Sequence, residues 1–184
     1  MPRSSSMHLI IGILLSLLQA LPAVAEETIR GRLLGFETYT VSGENMSPTI
    51  HRDELVYVET KVIGPAGPKR GDIVAYRSEK LNGAILVMRA VAIGGDSVEL
   101  RDGQLIVNEK AVDESYVDRS RAQQPFSKRF GKTIVRAGAI FVLGDCRDNS
   151  NDSRFLGPVP VTAVIGLVTR ARKSWLQGEF RKIR

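Results

Sequence analysis

Val41-Ser42-Gly43-Glu44-Asn45-Met46-Ser47-Pro48-Thr49-Ile50 lies between two strand-like stretches and has the character of neither. Gly, Pro and small polar residues fill it, the composition of a loop shaped to hold a reactive group. Before it, residues 28–40 alternate loosely and predict a strand that enters the loop. After it, Glu54-Leu55-Val56-Tyr57-Val58-Glu59 carries β-branched and aromatic residues in near period two and predicts another.

The same pattern continues outward. Gly64-Pro65-Ala66-Gly67-Pro68 is a turn cluster, and Arg70-Gly71-Asp72 opens the strand Ile73-Val74-Ala75-Tyr76. Residues 84–93 are apolar apart from Arg89, long enough for a buried central strand, and Gly94-Gly95-Asp96 ends it. Ser97-Val98-Glu99-Leu100 and Leu105-Ile106-Val107-Asn108 flank Asp102-Gly103, a strong hairpin signal. Residues 116–132 are polar, basic and interrupted by proline, and predict an irregular excursion. Ala139 to Leu143 reads as another buried strand, and Val161 to Val168 as the last strand. The basic tail from Ser174 interleaves Trp175, Leu176, Phe180 and Ile183, as a last strand or short helix patching the core would, or a surface docked on a membrane. Many short strands with little helical periodicity predict an all-β sandwich or barrel.

The chain has 184 residues, 43% hydrophobic and 25% charged, with a net charge of +6 and a pI near 9.7. That length accommodates one domain with a sizeable core and a small subdomain. Its basic residues are scattered and no aromatic–basic motif groups them, which argues against nucleic acid. An anionic membrane surface is the better partner for this charge. Cys146 is the single cysteine, so no intramolecular disulfide and no cysteine-rich metal site can form. The acidic residues show no metal-ligand spacing, and no cofactor is expected.

At the N-terminus Arg3 precedes an apolar run from Leu9 to Leu21, followed by Ala23-Val24-Ala25 and Glu26-Glu27. A basic start, a short apolar segment and Ala-x-Ala match a secretory signal. As helix the run reaches only about 20 Å, short of a hydrocarbon core of about 30 Å. Extending the helix from Met7 to Ala25 nearly closes that gap, so residues 1–27 read as a signal peptide or as a signal-anchor. Both place the remainder outside the cytoplasm, in the periplasm or on the outer face of the inner membrane.

A second polar stretch, Gly144-Asp145-Cys146-Arg147-Asp148-Asn149-Ser150-Asn151-Asp152-Ser153-Arg154-Phe155-Leu156-Gly157-Pro158-Val159, is too polar for core and too rich in acids, arginine and hydroxyls for a linker. Taken with Asn45-Met46-Ser47-Pro48-Thr49-Ile50, Arg70-Gly71-Asp72-Ile73-Val74 and Met88 to Asp96, it resembles the signal peptidase I family, serine endopeptidases with a Ser–Lys dyad. The four matches occur in the family's order and span nearly all of the exported part. The resemblance implies an antiparallel β core over 28–96 and 137–184, with a small β subdomain inserted over 97–136. It further implies that the partner is an extended peptide or an exported precursor protein, and that the protein is membrane-associated.

In that family a serine attacks, and a lysine made basic by burial takes its proton. A serine from the last loop orients the lysine. By resemblance Ser150 is that orienting serine, while Asp145, Arg147, Asp152 and Arg154 support the loop, the last two as an ion pair. The dyad itself is replaced: Asn45 stands at the nucleophile position and Met88 at the base position. An amide has no ionisable hydroxyl, and a thioether accepts no proton near neutral pH. Methionine does fill the space of a neutral lysine's stem. Cys146, where the family carries asparagine, is a third departure.

Other residues offer little rescue. Ser42 and Ser47 flank Asn45 but read as turn-forming hydroxyls, and His51 as a solvent-facing loop residue. Cys146 lacks an identifiable base. The resulting expectation is a catalytically silent relative, a pseudoenzyme of protein export that binds precursor or surface proteins as an assembly helper. The alternative is an active signal peptidase I-type serine endopeptidase that uses another nucleophile on exported preproteins.

Overall fold

Alternation along two neighbouring strands sets the architecture. The computed structural model describes residues 35–61, 67–173 and 179–183. In it β1 (Phe36–Thr40), β2 (Leu55–Glu59), β3 (Ile73–Ser78) and β4 (Ala84–Ile93) precede a small hairpin unit of β5 (Ser97–Arg101), β6 (Gln104–Val107), β7 (Lys110–Ala111) and β8 (Phe130–Ile134). The chain then returns through β9 (Ala139–Leu143), β10 (Val159–Pro160), β11 (Val164–Arg172) and β12 (Arg181–Lys182). The main sheet is ordered β1-β2-β11-β3-β4-β9-β10, with β12 paired to β11, and a four-stranded sheet is ordered β7-β6-β5-β8. Every pairing is antiparallel. The fold is all-β, as the sequence predicts.

Because successive side chains of a strand point to opposite faces, β3 and β4 serve two cores. Ile73, Ala75, Ile85 and Val87 pack with Val41, Met46, Ile50, Val56 and Val58. Val74, Tyr76, Leu86, Met88 and Ala90 pack with Ile140, Val142 and Val159 on the other side. Burial on both faces explains why residues 84–93 read as an unbroken apolar run. A third cluster, including Val91, Val98, Leu100, Leu105, Phe141 and Leu143, joins the small sheet to the large one.

Asp102 and Gly103 both adopt positive φ, 48° and 83°, and turn β5 into β6 as the two-residue hairpin that Asp-Gly predicts. The excursion contains a short turn at Arg119–Arg121 and another at Pro125–Lys128 before β8. The last long strand starts later than the sequence pattern indicates. Residues 161–163 form a 3₁₀ turn, and β11 runs from Val164 to Arg172.

Arg181 and Lys182 extend the sheet, and Ile183 is buried among the first core's residues. The expectations for residues 1–27, for the strand before Gly35, for Gly64 to Ala66 and for Trp175 and Leu176 fall outside the described residues. Among the described residues no helix is long and apolar enough to cross a membrane.

Candidate functional site

The loop between β1 and β2 is closed at its base by Val41 N–H donating to Glu54 O (2.9 Å) and Asp53 N–H to Val41 O (2.7 Å). Within it Ile50 N–H donates to Met46 O at 2.9 Å, one helical turn apart, and both side chains are fully buried. The Ser47–Pro48 peptide is cis. These two apolar anchors leave Asn45 half-buried beside β4.

That is where β4 has a free edge. Among the described residues, β9 pairs only with its second half, from Arg89 onward. Asn45 Nδ2 fills the vacant partner position by donating to Val87 O at 2.8 Å, and lies 3.7 Å from Met88 Sδ. From the opposite side Ser150 Oγ approaches the same sulfur to 3.6 Å. Asn45, Met88 and Ser150 are thus brought together from three separate segments. Met88, 2% exposed, is embedded in the second core. Gly144 is required at this crossing: a Cβ there would stand 2.3 Å from Ser150 Oγ and 2.5 Å from Asn45 O. Next to it, Cys146 N–H donates to Asn45 O at 2.9 Å, which ties the two polar stretches together.

The second polar stretch is braced by charge. Arg154 grips Asp152 with Nε–Oδ1 at 2.8 Å and a terminal nitrogen on Oδ2 at 2.9 Å, both side chains being buried at the contact. Asp152 also accepts Gly144 N–H at 3.1 Å and caps the turn Ser153–Leu156, while Arg154 reaches the carbonyl of Arg147 at 2.8 Å. Arg147 in turn donates to Gly144 O at 2.9 Å and pairs with buried Glu114. Asp145 is held by Arg89 in two contacts of 2.9 and 2.7 Å, and by Thr49 Oγ1 at 2.5 Å. The Arg89 guanidinium lies 3.9 Å from the Tyr116 ring centroid.

Each buried cation here therefore has a carboxylate, as the cost of desolvation demands. Burial raises the Tyr116 hydroxyl pKa far above its ordinary value, and Glu114 adds to the effect. Burial and Asp152 do the same to Tyr76 on β3. Burial alone would raise the Asp148 carboxyl, but the N–H groups of Gln123 and Gln124 outweigh it and hold that carboxyl below the usual range. Those two bonds dock the excursion onto the second polar stretch.

Ser42 is exposed and belongs to no cluster. Ser47 differs from the expectation of a simple turn hydroxyl: it is 3% exposed, accepts from Arg121 at 2.9 Å and lies 3.3 Å from His51 Nδ1. Glu44 Oε2 is 4.0 Å from the same histidine nitrogen, and the His51 side chain remains 54% exposed. Cys146 is a buried free thiol. Thr49, Glu114, Arg121 and Asp148 were not legible as site neighbours. Their partners lie tens of residues away, and no local spacing signals such contacts. Among the described residues no group of His, Cys, Asp and Glu side chains has a metal-holding arrangement.

A family model described as signal peptidase, peptidase S26, matches residues 10–172. The chain belongs to the signal peptidase I family. It is 38% identical to signal peptidase I S of Bacillus subtilis (strain 168) over 125 residues, 65% of this chain and 66% of that one. Against signal peptidase I of Bacillus caldolyticus the identity is 36% over 148 residues, 74% of this chain and 79% of that one. The match to the Bacillus subtilis protein thus leaves about a third of each chain outside it. Among solved structures, a signal peptidase I from Enterococcus faecalis V583 superposes with a TM-score of 0.50 at 30% identity, covering 55% of this chain and 97% of that one. The signal peptidase I fold is thereby matched in three dimensions as well as in sequence.

Proposed function

We propose that this chain is a catalytically silent signal peptidase I relative that binds extended peptides or exported precursors outside the cytoplasm, as an assembly helper, without cutting them. One observation carries the reading. At the crossing of the two polar stretches, the groups in contact are an amide, a thioether and one hydroxyl. None is a base, and among the described residues the hydroxyl of Ser150 is hydrogen-bonded to the sulfur alone.

The binding half rests on β4, whose Ala84–Met88 edge facing away from β3 has no strand partner among the described residues and is met there by the Asn45 amide at Val87 O. Extended peptides bind such edges by strand addition, with alternate side chains entering apolar pockets. A labelled peptide bearing Ala-x-Ala should bind the purified chain saturably and be recovered intact. Absence of saturable binding contradicts the reading.

A second reading, an active endopeptidase, is favoured by the Ser47–His51 contact. Its geometry works against it. The Ser47 oxygen is almost wholly buried and already accepts from Arg121, and one histidine nitrogen faces both Ser47 and Glu44. A working relay uses the two ring nitrogens for different partners.

A further inference from the structure

Arg121 stands apart from the other arginines around the crossing. Arg89, Arg147 and Arg154 each grip a buried carboxylate. Arg121 has none within 4.0 Å among the described residues, and its one hydrogen bond runs from a terminal nitrogen to Ser47 Oγ. Its position is nevertheless fixed. Asp118 caps the turn Arg119–Arg121, Arg119 pairs with buried Glu114, Ala122 is 4% exposed, and Asp148 holds the next two backbone N–H groups. The excursion therefore holds a half-buried guanidinium against the loop that carries Asn45; Asp118 feels its charge, but among the described residues its remaining donors have no hydrogen-bond partner. A planar fork held this way loses little entropy on meeting a carboxylate.

From Asn45 to Ser47 is two residues, at most about 7.6 Å of chain. An extended peptide advances about 3.3 Å per residue. For a peptide that runs in the same direction as residues 45–47, a carboxylate one to three residues after the one seated at Asn45 is brought toward Arg121, which meets that loop at Ser47. The chain's own sequence has such a pattern: Ala23-Val24-Ala25 is followed directly by Glu26-Glu27.

We propose that Arg121 is a specificity-determining cation of the peptide cleft. It selects extended peptides in which a small-x-small segment is followed at once by an acidic residue. The proposal rests on the peptide-binding reading above and names its ligand class.

The test measures affinity of the full chain, in detergent, for a labelled peptide with the sequence of residues 18–30, against the same peptide with Glu26 and Glu27 replaced by glutamine. The acidic peptide should bind about 2- to 5-fold more tightly at low salt, as expected for a partly exposed charge pair, and the advantage should shrink in high salt. Arg121→Glu should abolish the preference and favour a peptide with lysines at those two positions. Arg121→Gln, which keeps a donor for Ser47, should bind both original peptides alike. Equal binding of the acidic and neutral peptides by the unmodified chain overturns this proposal while leaving peptide binding intact. If neither peptide binds, the peptide-binding reading itself falls. A preference that survives Arg121→Gln at full size, with an unchanged melting temperature, also overturns the role of Arg121.

Discussion

Asp152→Ala lowers the stability of the folded chain by about 3–5 kcal/mol, the usual consequence of leaving a buried cation without its partner. Arg154 has its head group buried against Asp152, and its other hydrogen bonds run to neutral groups, the carbonyls of Arg147 and Phe126 and the hydroxyl of Ser127, while the Asp148 carboxyl feels its charge without a direct contact. None of these hydrogen-bond partners replaces the carboxylate. The same substitution removes the acceptor of Gly144 N–H and the cap of the turn Ser153–Leu156, so the loop loses its anchor at both ends. Chemical denaturation should show the loss with little change in slope, since the surface exposed on unfolding is nearly the same. A melting temperature and denaturation midpoint equal to those of the unmodified chain would refute the brace.

The second large effect is chemical. Asn45→Ser alone should leave precursor cleavage undetectable, because a serine without a base is a weak nucleophile. Met88→Lys alone places an amine in an apolar slot that is 2% exposed, so it should cost stability, and desolvation should pull the amine's pKa down. The lysine nitrogen would extend two atoms past the place of the sulfur, which Ser150 Oγ and Asn45 Nδ2 approach to 3.6 and 3.7 Å. A positioned base is worth about 10²- to 10⁴-fold in rate. The double change should therefore cleave an Ala-x-Ala precursor where each single change does not. A double variant that folds and binds peptide yet stays silent would mean that more than the dyad is missing, with buried Cys146 the first position to revert to asparagine. Equal activity in Asn45→Ser alone would contradict the need for residue 88.

The strands were legible because both faces of β3, β4 and β9 are buried or nearly so, which wrote continuous apolar runs into residues 73–76, 84–93 and 139–143. The hairpin at Asp102-Gly103 was legible from a two-residue backbone requirement. Asn45, Met88 and Ser150 could be listed from resemblance, but their approach to one another depends on β9 leaving the Ala84–Met88 edge of β4 that faces away from β3, which no local pattern encodes. Ser47 lies in a turn, as expected, but the partner of its hydroxyl was illegible for a related reason. It accepts from Arg121, 74 positions away along the chain. The start of β11 shifted because Val161 to Ala163 is apolar enough for a strand yet follows Pro160, after which the backbone tightens into a 3₁₀ turn.

The central claim is that the unmodified chain binds precursors and does not cut them. Its most direct test is turnover of a preprotein carrying Ala-x-Ala by the purified chain, made in a strain whose own signal peptidase is inactivated and compared with a mock purification. The account predicts no product above the mock while the precursor remains bound. Cleavage above the mock that disappears in Ser47→Ala or Cys146→Ala would contradict it and identify the nucleophile.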